Sequence, residues 1–374
     1  MKKTNLFLAL ILFVMAGCAG GSKQSPGELI VVDVAKNYPK KEIKLQDVMD
    51  VEYIALDSSD EFLCGGVVKD VGENIIVVGN EQMDGNIFLF DRSGKGLRKI
   101  NRRGQGPGEY PMFTGIMLDE GNNELIVSNF VGSQVLVYDL SGSFKRGFKY
   151  EDGYNAQKIV NFDREHLMCI GMRARVNTNP PFFILSKQDG TVTNLIELPG
   201  EEIQSPEQII NDFMRGYPHT LRSIPYRGNW ALADSWYDTV YMYTPDHKMI
   251  PVMVRTPSKK SNPEVDVFPY LFTDRYCFIG KEANGEIKHL MYDSKGNAIF
   301  EYIISNDDYP DKPYTLSKGD DIKSINDIAS FVKYEAFELI EANKEGKLKG
   351  RLKEIASQLK DDDNPVIMLM KYKK

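Results

Sequence analysis

At 374 residues the chain can bury a large core, and length alone would allow two domains. Its 46 lysines and arginines against 53 aspartates and glutamates give a net charge of −7. That balance excludes the broad basic surface that nucleic-acid binding requires, and gives no reason to expect avid binding to an anionic membrane face.

The chain opens on Met1-Lys-Lys followed by an apolar run from Leu6 to Met15. Ten apolar residues are too few to span a bilayer, and the pattern is that of an export leader. Met15-Ala-Gly-Cys18 resembles the bacterial lipobox, which implies a leader over residues 1–17 and lipidation of Cys18. Loss of Lys2 and Lys3 would leave 44 basic against 53 acidic residues, a charge of −9. Several acyl chains, at about 0.8 kcal/mol per buried CH₂, hold such a protein firmly to a membrane. The plainer reading is a secretory signal with an incidental cysteine. Residues 18–40 are then a lipidated cysteine and a flexible tether, polar and small over Gly20–Gly27. The mature domain is expected over 41–374. It retains Cys64, Cys169 and Cys277, an odd number, read as buried thiols.

Glu42–Leu45 and Val51–Leu56 alternate apolar and polar residues and read as strands without a unit of their own. The stretch that follows organises the chain. In Asn86-Ile-Phe-Leu-Phe-Asp-Arg-Ser-Gly94, Ile87 and Leu89 lie on one strand face and Phe88 and Phe90 on the other. Both faces are apolar, so both should be covered. Asp91-Arg-Ser-Gly94 supplies a turn and Leu97–Ile100 the return strand. The unit recurs at Gln134–Gly142 and Phe182–Gly190, each 48 residues on, more loosely at Thr239–Asp246, and again at Ile287–Gly296. Each copy follows two upstream strands, such as Val67–Val71 and Asn74–Gly79. Four strands per unit at this period are blade-sized repeats, each burying its faces only against its neighbours.

Ser205, Pro206 and Gly216 mark a short inserted helix at about 205–215, and helical spacing of Phe331, Tyr334, Phe337, Leu348, Leu352, Ile355 and Leu359 marks helices within 321–360. Pro365–Met370 is a lone apolar strand. The strands at the two ends are expected to make a sixth blade together, since an open ring would expose sheet edges. The fold expected is all-β, a six-bladed β-propeller with short helical insertions.

The unit Ile87–Gly96, the loop Gly104-Gln-Gly-Pro-Gly-Glu-Tyr110 and the ending Asp361-Asp-Asp-Asn-Pro-Val-Ile-Met-Leu-Met-Lys371 resemble the six-bladed β-propeller lipoproteins of Bacteroides-type bacteria. Propellers with NHL-type repeats share the broader pattern. The likeness runs from about Lys41 to Lys374. It departs from the family at Asn101-Arg-Arg103 and in the weak fourth unit. The resemblance implies an envelope location and no particular reaction.

The richest loop for chemistry is Arg102–Tyr110, expected to connect one blade to the next on the face where propellers usually bind ligands. Its glycines can present backbone N–H groups to a guest. Arg102 and Arg103, with Gln105 between blades, can clamp a carboxylate or sulfate, and Tyr110 can stack on a sugar or peptide ring. The plainer reading is a rigid connector. Arg173 and Arg175, and Trp236 and Tyr237 beside Asp234 and Asp238, are further rim candidates; packing beneath a loop is the plainer reading for the aromatics. The histidines show no metal spacing and no nucleophile elbow occurs, so neither metal nor cofactor is expected. These features predict a non-catalytic binding or interaction module for a glycan, a peptide or an envelope protein. It is expected to be lipid-anchored at Cys18, on the periplasmic side of the outer membrane with surface exposure as the alternative, and to bind no nucleic acid. The alternative is a lyase or hydrolase with its site at the central channel.

Overall fold

The repeat of 48 residues is a blade. A computed structural model describes residues 29–373 apart from 81–83, 130–133, 152–153, 172–179, 212–213, 217–218, 315 and 317–325. Five antiparallel blades follow in chain order, each running from its inner strand outwards. The first is Val67–Val71, Ile75–Gly79, Asn86–Asp91 and Gly96–Asn101; the second Gly115–Asp119, Glu124–Asn129, Gln134–Asp139 and Phe144–Lys149. The third is Ala156–Asn161, His166–Gly171, Phe182–Ser186 and Val192–Ile196. The fourth is Leu221–Tyr226, Asn229–Asp234, Thr239–Tyr243 and Met249–Thr256; the fifth is Val265–Phe272, Tyr276–Ala283, Glu286–Asp293 and Ala298–Asn306.

The two-faced strand does what its composition requires. Phe88 and Phe90 pack with Ile54, Ile367 and Leu369 of the sixth sheet. Ile87 and Leu89 pack with Leu118, Leu125, Val127 and Leu136 of the second blade. Each of these buried side chains contributes roughly 1.5–3 kcal/mol. The turn glycines set the spacing between blades. Gly94, Gly142 and Gly190 hold φ of +88°, +87° and +78°. A Cβ on them would stand 2.0 Å from the Ala55 carbonyl oxygen, 3.0 Å from an Ile100 methyl and 2.3 Å from the Phe148 ring. Every one of those atoms belongs to the outer strand of the preceding blade. In the fourth blade His247 takes the left-handed position, at φ +60°, and its ring meets Asn194 of the third blade's outer strand at 3.4 Å. That substitution is why the fourth unit reads as degenerate.

Carboxylates lock neighbouring blades on the same face as these turns, where the inner strands finish. Asp70 accepts a hydrogen bond from the Leu118 N–H at 2.8 Å, and Glu120 accepts three from residues 73–75. The buried Lys187 ammonium reaches Asp119 at 2.5 Å.

The ring closes through both chain ends. Met49–Ala55 pairs with Val366–Tyr372, which pairs with Ile328–Tyr334; the register sets Ile54 opposite Ile367 and Val51 opposite Met370. Three expectations need correction. Lys40–Lys44 does not join this sixth sheet. It adds in parallel to the outer strand of the fifth blade, as Ile30–Asp33 adds to that of the fourth. Leu45 instead begins a one-turn helix, Leu45–Val48, whose Leu45 and Val48 fill the seam between the fifth and sixth sheets. The 205–215 insertion is an antiparallel pair, Gln208–Asn211 with Met214–Gly216, and not a helix. Pro206 suits an extended chain as well as a first helical turn. The Ser205 hydroxyl, read as a cap, is buried without a hydrogen-bond partner among the described residues. Finally, Phe331 and Tyr334 belong to a strand; the helices are Ala336–Lys344 and Gly350–Ala356. Leu339, Leu348, Leu352 and Ile355 pack these helices onto the fifth and sixth sheets. Cys64, Cys169 and Cys277 are all buried free thiols.

Candidate functional site

The glycine-rich loop connects the outer strand of the first blade to the inner strand of the second, and it is occupied by its own side chains. Backbone bonds close it: Tyr110 N–H donates to the Arg102 carbonyl at 3.0 Å, and Gly104 N–H to the Tyr110 carbonyl at 3.1 Å. The Glu109 carboxylate lies over Gly104, where a Cβ would come within 1.9 Å of its oxygen, and accepts the Gly106 N–H at 2.9 Å. The seat that glycine leaves for an incoming anion is therefore taken by Glu109. Arg102 donates through Nε to the Gly142 carbonyl at 2.8 Å and so fastens the loop to the second blade's turn. Arg103 and Gln105 are exposed.

Two aromatic candidates are core residues. Tyr110 is fully buried; its hydroxyl donates to the Gly85 carbonyl at 2.8 Å and accepts from the Arg102 N–H at 3.1 Å. Burial pushes this phenol above its ordinary pKa. Its ring stands edge-on to Phe113 and Tyr138, so no face is left for a guest. Trp236 is likewise buried, stacked on the His219 ring at 4.0 Å. Tyr237 is half-buried at a cleft of about 260 Å³, which it shares with Tyr241, Glu201 and Lys260. Lys260 is paired there with Glu201 at 2.5 Å. Arg173 and Arg175, and Cys18 with the leader, lie outside the described residues.

The axis of the ring offers a different site. At the end where the inner strands begin, a cavity of about 340 Å³ opens between the second, third and fourth blades. Thr114 and Ser128 line it from the second blade, Gln157 and Lys158 from the third, and Arg222 and Ser223 from the fourth. The Arg222 guanidinium lies 4.2 Å over the Phe268 ring and 5.5 Å from that of Tyr270, both on the fifth blade's inner strand. Two rings fix its plane before any ligand arrives. Ser223 is fully buried, and its hydroxyl has no hydrogen-bond partner among the described residues. A buried, unsatisfied hydroxyl costs about 1–3 kcal/mol, so it marks a place for a partner. The lining holds two cations and no carboxylate.

The sequence carries a signal for this site outside its glycine-rich loops. Ala156-Gln-Lys-Ile-Val-Asn161 and Leu221-Arg-Ser-Ile-Pro-Tyr226 are inner strands with long polar side chains near their beginnings. Inner strands face other strands on one edge and the channel on the other, so a cation there has the channel as its outlet. Beside the cavity, His219 Nε2 meets Asp234 Oδ1 at 2.8 Å, with both side chains buried, and the Trp236 N–H donates to the same oxygen.

A family model described as a domain of unknown function, DUF4934, matches residues 29–371, so the chain belongs to that family. No curated protein matches the sequence. Among solved structures, a candidate exported protein from Bacteroides fragilis is similar in fold, with a TM-score of 0.62 at 15% identity, covering 93% of this chain and 100% of that one. A member of the DUF4221 family from Bacteroides vulgatus gives a TM-score of 0.49 at 9% identity over 88% of this chain and 99% of its own. Virginiamycin B lyase from Staphylococcus aureus gives 0.38 at 9% identity, covering 87% and 100%.

Proposed function

We propose that this member of the family is a non-catalytic binding propeller that takes a carboxylate-bearing ligand at the channel mouth. The observation that carries the reading is the pairing of Lys158 with a ring-clamped Arg222 over a buried, unpartnered Ser223 hydroxyl. Two cations in a lining that includes no carboxylate favour an anion at this mouth although the protein's net charge is −7. Arg222 fits a planar carboxylate through two parallel N–H groups, and Gln157, Thr114 and Ser128 add neutral donors and acceptors for hydroxyl or amide groups beside it. A uronate at a glycan end and the carboxylate of a peptide share this chemistry. Attachment to the bacterial envelope through Cys18 would present the ring to such ligands; no helix among the described residues is long and apolar enough to cross a membrane.

The test is thermal denaturation of the chain with uronate oligosaccharides, their neutral counterparts and short peptides with free or amidated ends. A ligand at 100 times its dissociation constant adds about 2.7 kcal/mol. Stabilisation by uronates or by free-ended peptides, lost in Lys158→Gln and Ser223→Val, supports the reading and names the source. Stabilisation that survives both substitutions moves the site elsewhere.

One observation favours a second reading, an enzyme at the same mouth. His219 and Asp234 form a buried imidazole–carboxylate pair two residues from Leu221, which lines the cavity. Such a pair orients an imidazole as a base. Turnover of a bound ligand that His219→Gln abolishes while binding persists would establish it.

A further inference from the structure

The outer edges of the blades are not alike. In the fourth and fifth blades the outer strand is covered by a strand from the amino-terminal segment, in parallel. In the first and second blades the outer strands, Gly96–Asn101 and Phe144–Lys149, pair on one side only among the described residues. The outer strand of the third blade, Val192–Ile196, is open in the same way but holds no cation, so the open edges of the first and second blades stand apart from it and from the covered ones in charge. The covered strands, Met249–Thr256 and Ala298–Asn306, hold one cation between them, Arg255, which is buried and bonded to the carbonyls of Asn262 and Val265. The open ones of the first and second blades carry Arg98, Lys99, Lys145, Arg146 and Lys149. Lys145 and Arg146 are paired with the buried Glu124, whereas Arg98 and Lys149 make no ion pair among the described residues. Two exposed apolar side chains, Leu97 and Phe144, stand at the starts of the same strands. The edges are adjacent: Arg102, just past the first, is bonded to Gly142, just before the second.

We propose that the outer edges of the first and second blades receive an extended acidic segment of a partner protein, which adds as a further strand. The chain itself demonstrates that a blade's outer edge accepts a parallel strand. Unpaired main-chain groups supply the hydrogen bonds, and the cations choose the partner. The same cations repel a second copy of this edge, so the strand stays open to an acidic segment while self-association is suppressed. Leu97 and Phe144 give alternate apolar side chains of the incoming strand a place to pack. The surface is on the outer rim and is independent of the channel site.

The test uses fluorescence anisotropy with the whole chain and a labelled peptide alternating glutamate and valine. Its counterparts are the same peptide with proline in place of valine, which lacks half the main-chain donors, and polygalacturonate as a charged polymer without amides. The alternating peptide is expected to bind, to weaken with added salt, and to lose at least about tenfold in affinity in the Arg98→Glu, Lys99→Glu, Lys149→Glu variant. Amides of 96–101 or 144–149 should gain protection from hydrogen exchange. Those side chains are solvent-facing, and an unchanged thermal transition in the variant verifies its fold. Equal binding of the proline peptide or of polygalacturonate, without added amide protection, would show a surface that reads charge alone and would overturn strand addition. So would affinity unaffected by the charge reversals, or no binding at all.

Discussion

At the scale of single residues, a glycine's role depends on what stands where its Cβ would be. Gly94 and Gly285 both hold the left-handed region, at φ +88° and +77°. Only Gly94 is pressed against another blade; nothing lies within 4 Å of a Cβ at Gly285. Gly285→Ala should therefore lose about 1 kcal/mol, the backbone cost alone. Gly94→Ala should lose roughly 3 kcal/mol or more, because the Ala55 carbonyl must also move. Urea titrations of the two variants measure the difference, and equal losses would remove Gly94 from its role as a spacer between blades. His289 makes a second case. Burial against Tyr270 and Tyr302 lowers its pKa from 6.5, because the charged ring is denied water. The unfolded chain takes up this proton at higher pH than the folded one. The contribution to stability is thus complete above about pH 6.5 and declines as pH falls towards the folded value. His289→Phe should flatten that part of the urea midpoint's pH profile. It should leave intact the loss at lower pH, to which Asp91, Asp139, Glu124 and Asp293 contribute among other depressed carboxylates. Hydrogen bonds donated by Ser93, Ser141 and Arg275 lead in holding the three aspartates below the usual range. For Glu124, desolvation alone would raise the pKa, and bonds from Arg146 and Lys145 overcome it. These folded-state carboxylate values are depressed, so their contribution is present above the unfolded pKa and lost as pH falls through the folded one.

At the scale of elements, strand–turn–strand units were legible because two requirements fall on adjacent residues. Ile87–Phe90 must be apolar on both faces to lie between blades, and Asp91 with Gly94 must turn the chain. No distant residue is needed to read either. The insertions were illegible for the opposite reason. Phe331 and Tyr334 are spaced as a helix would have them, yet both also suit a strand buried on two faces, and only the partner Val366–Tyr372 decides. Lys40–Lys44 alternates as a strand should, but which edge it joins depends on the fifth blade. The candidate site divides in the same way. The glycine loop was found as a connector, whereas burial of Tyr110 and Trp236 depends on Phe113, Tyr138 and His219 closing over them. The channel site draws on three blades, and its members are 108 positions apart from Thr114 to Arg222, so no local motif announces it.

At the scale of the molecule, the ring is closed by Met49–Ala55, which covers Val366–Tyr372 and supplies the Ala55 carbonyl against which Gly94 rests. The two strands before it, Ile30–Asp33 and Lys40–Lys44, only add to blades already complete with four. Truncations should separate the two roles. A chain beginning at Leu45 should keep a single cooperative thermal transition at a lower temperature. One beginning at Leu56 should lose cooperativity, because Val366–Tyr372 becomes an open edge that is apolar from Val366 to Met370 and the first blade loses its contacts with Ile54 and Ala55. Calorimetry decides this, and a cooperative transition in the shorter chain would show that the sixth sheet does not need its amino-terminal strand.

The parallel seam on the fourth blade also has a mechanical meaning. Ile30–Asp33 runs alongside Met253–Thr256 with all four residues in register. A pull on the amino end along the axis of that strand would shear its hydrogen bonds together and not open them one after another. Whatever the amino end is fastened to, drag on the body reaches the outer edge of one blade before it reaches the closing sheet. The seam is placed to act as a strain relief for the ring.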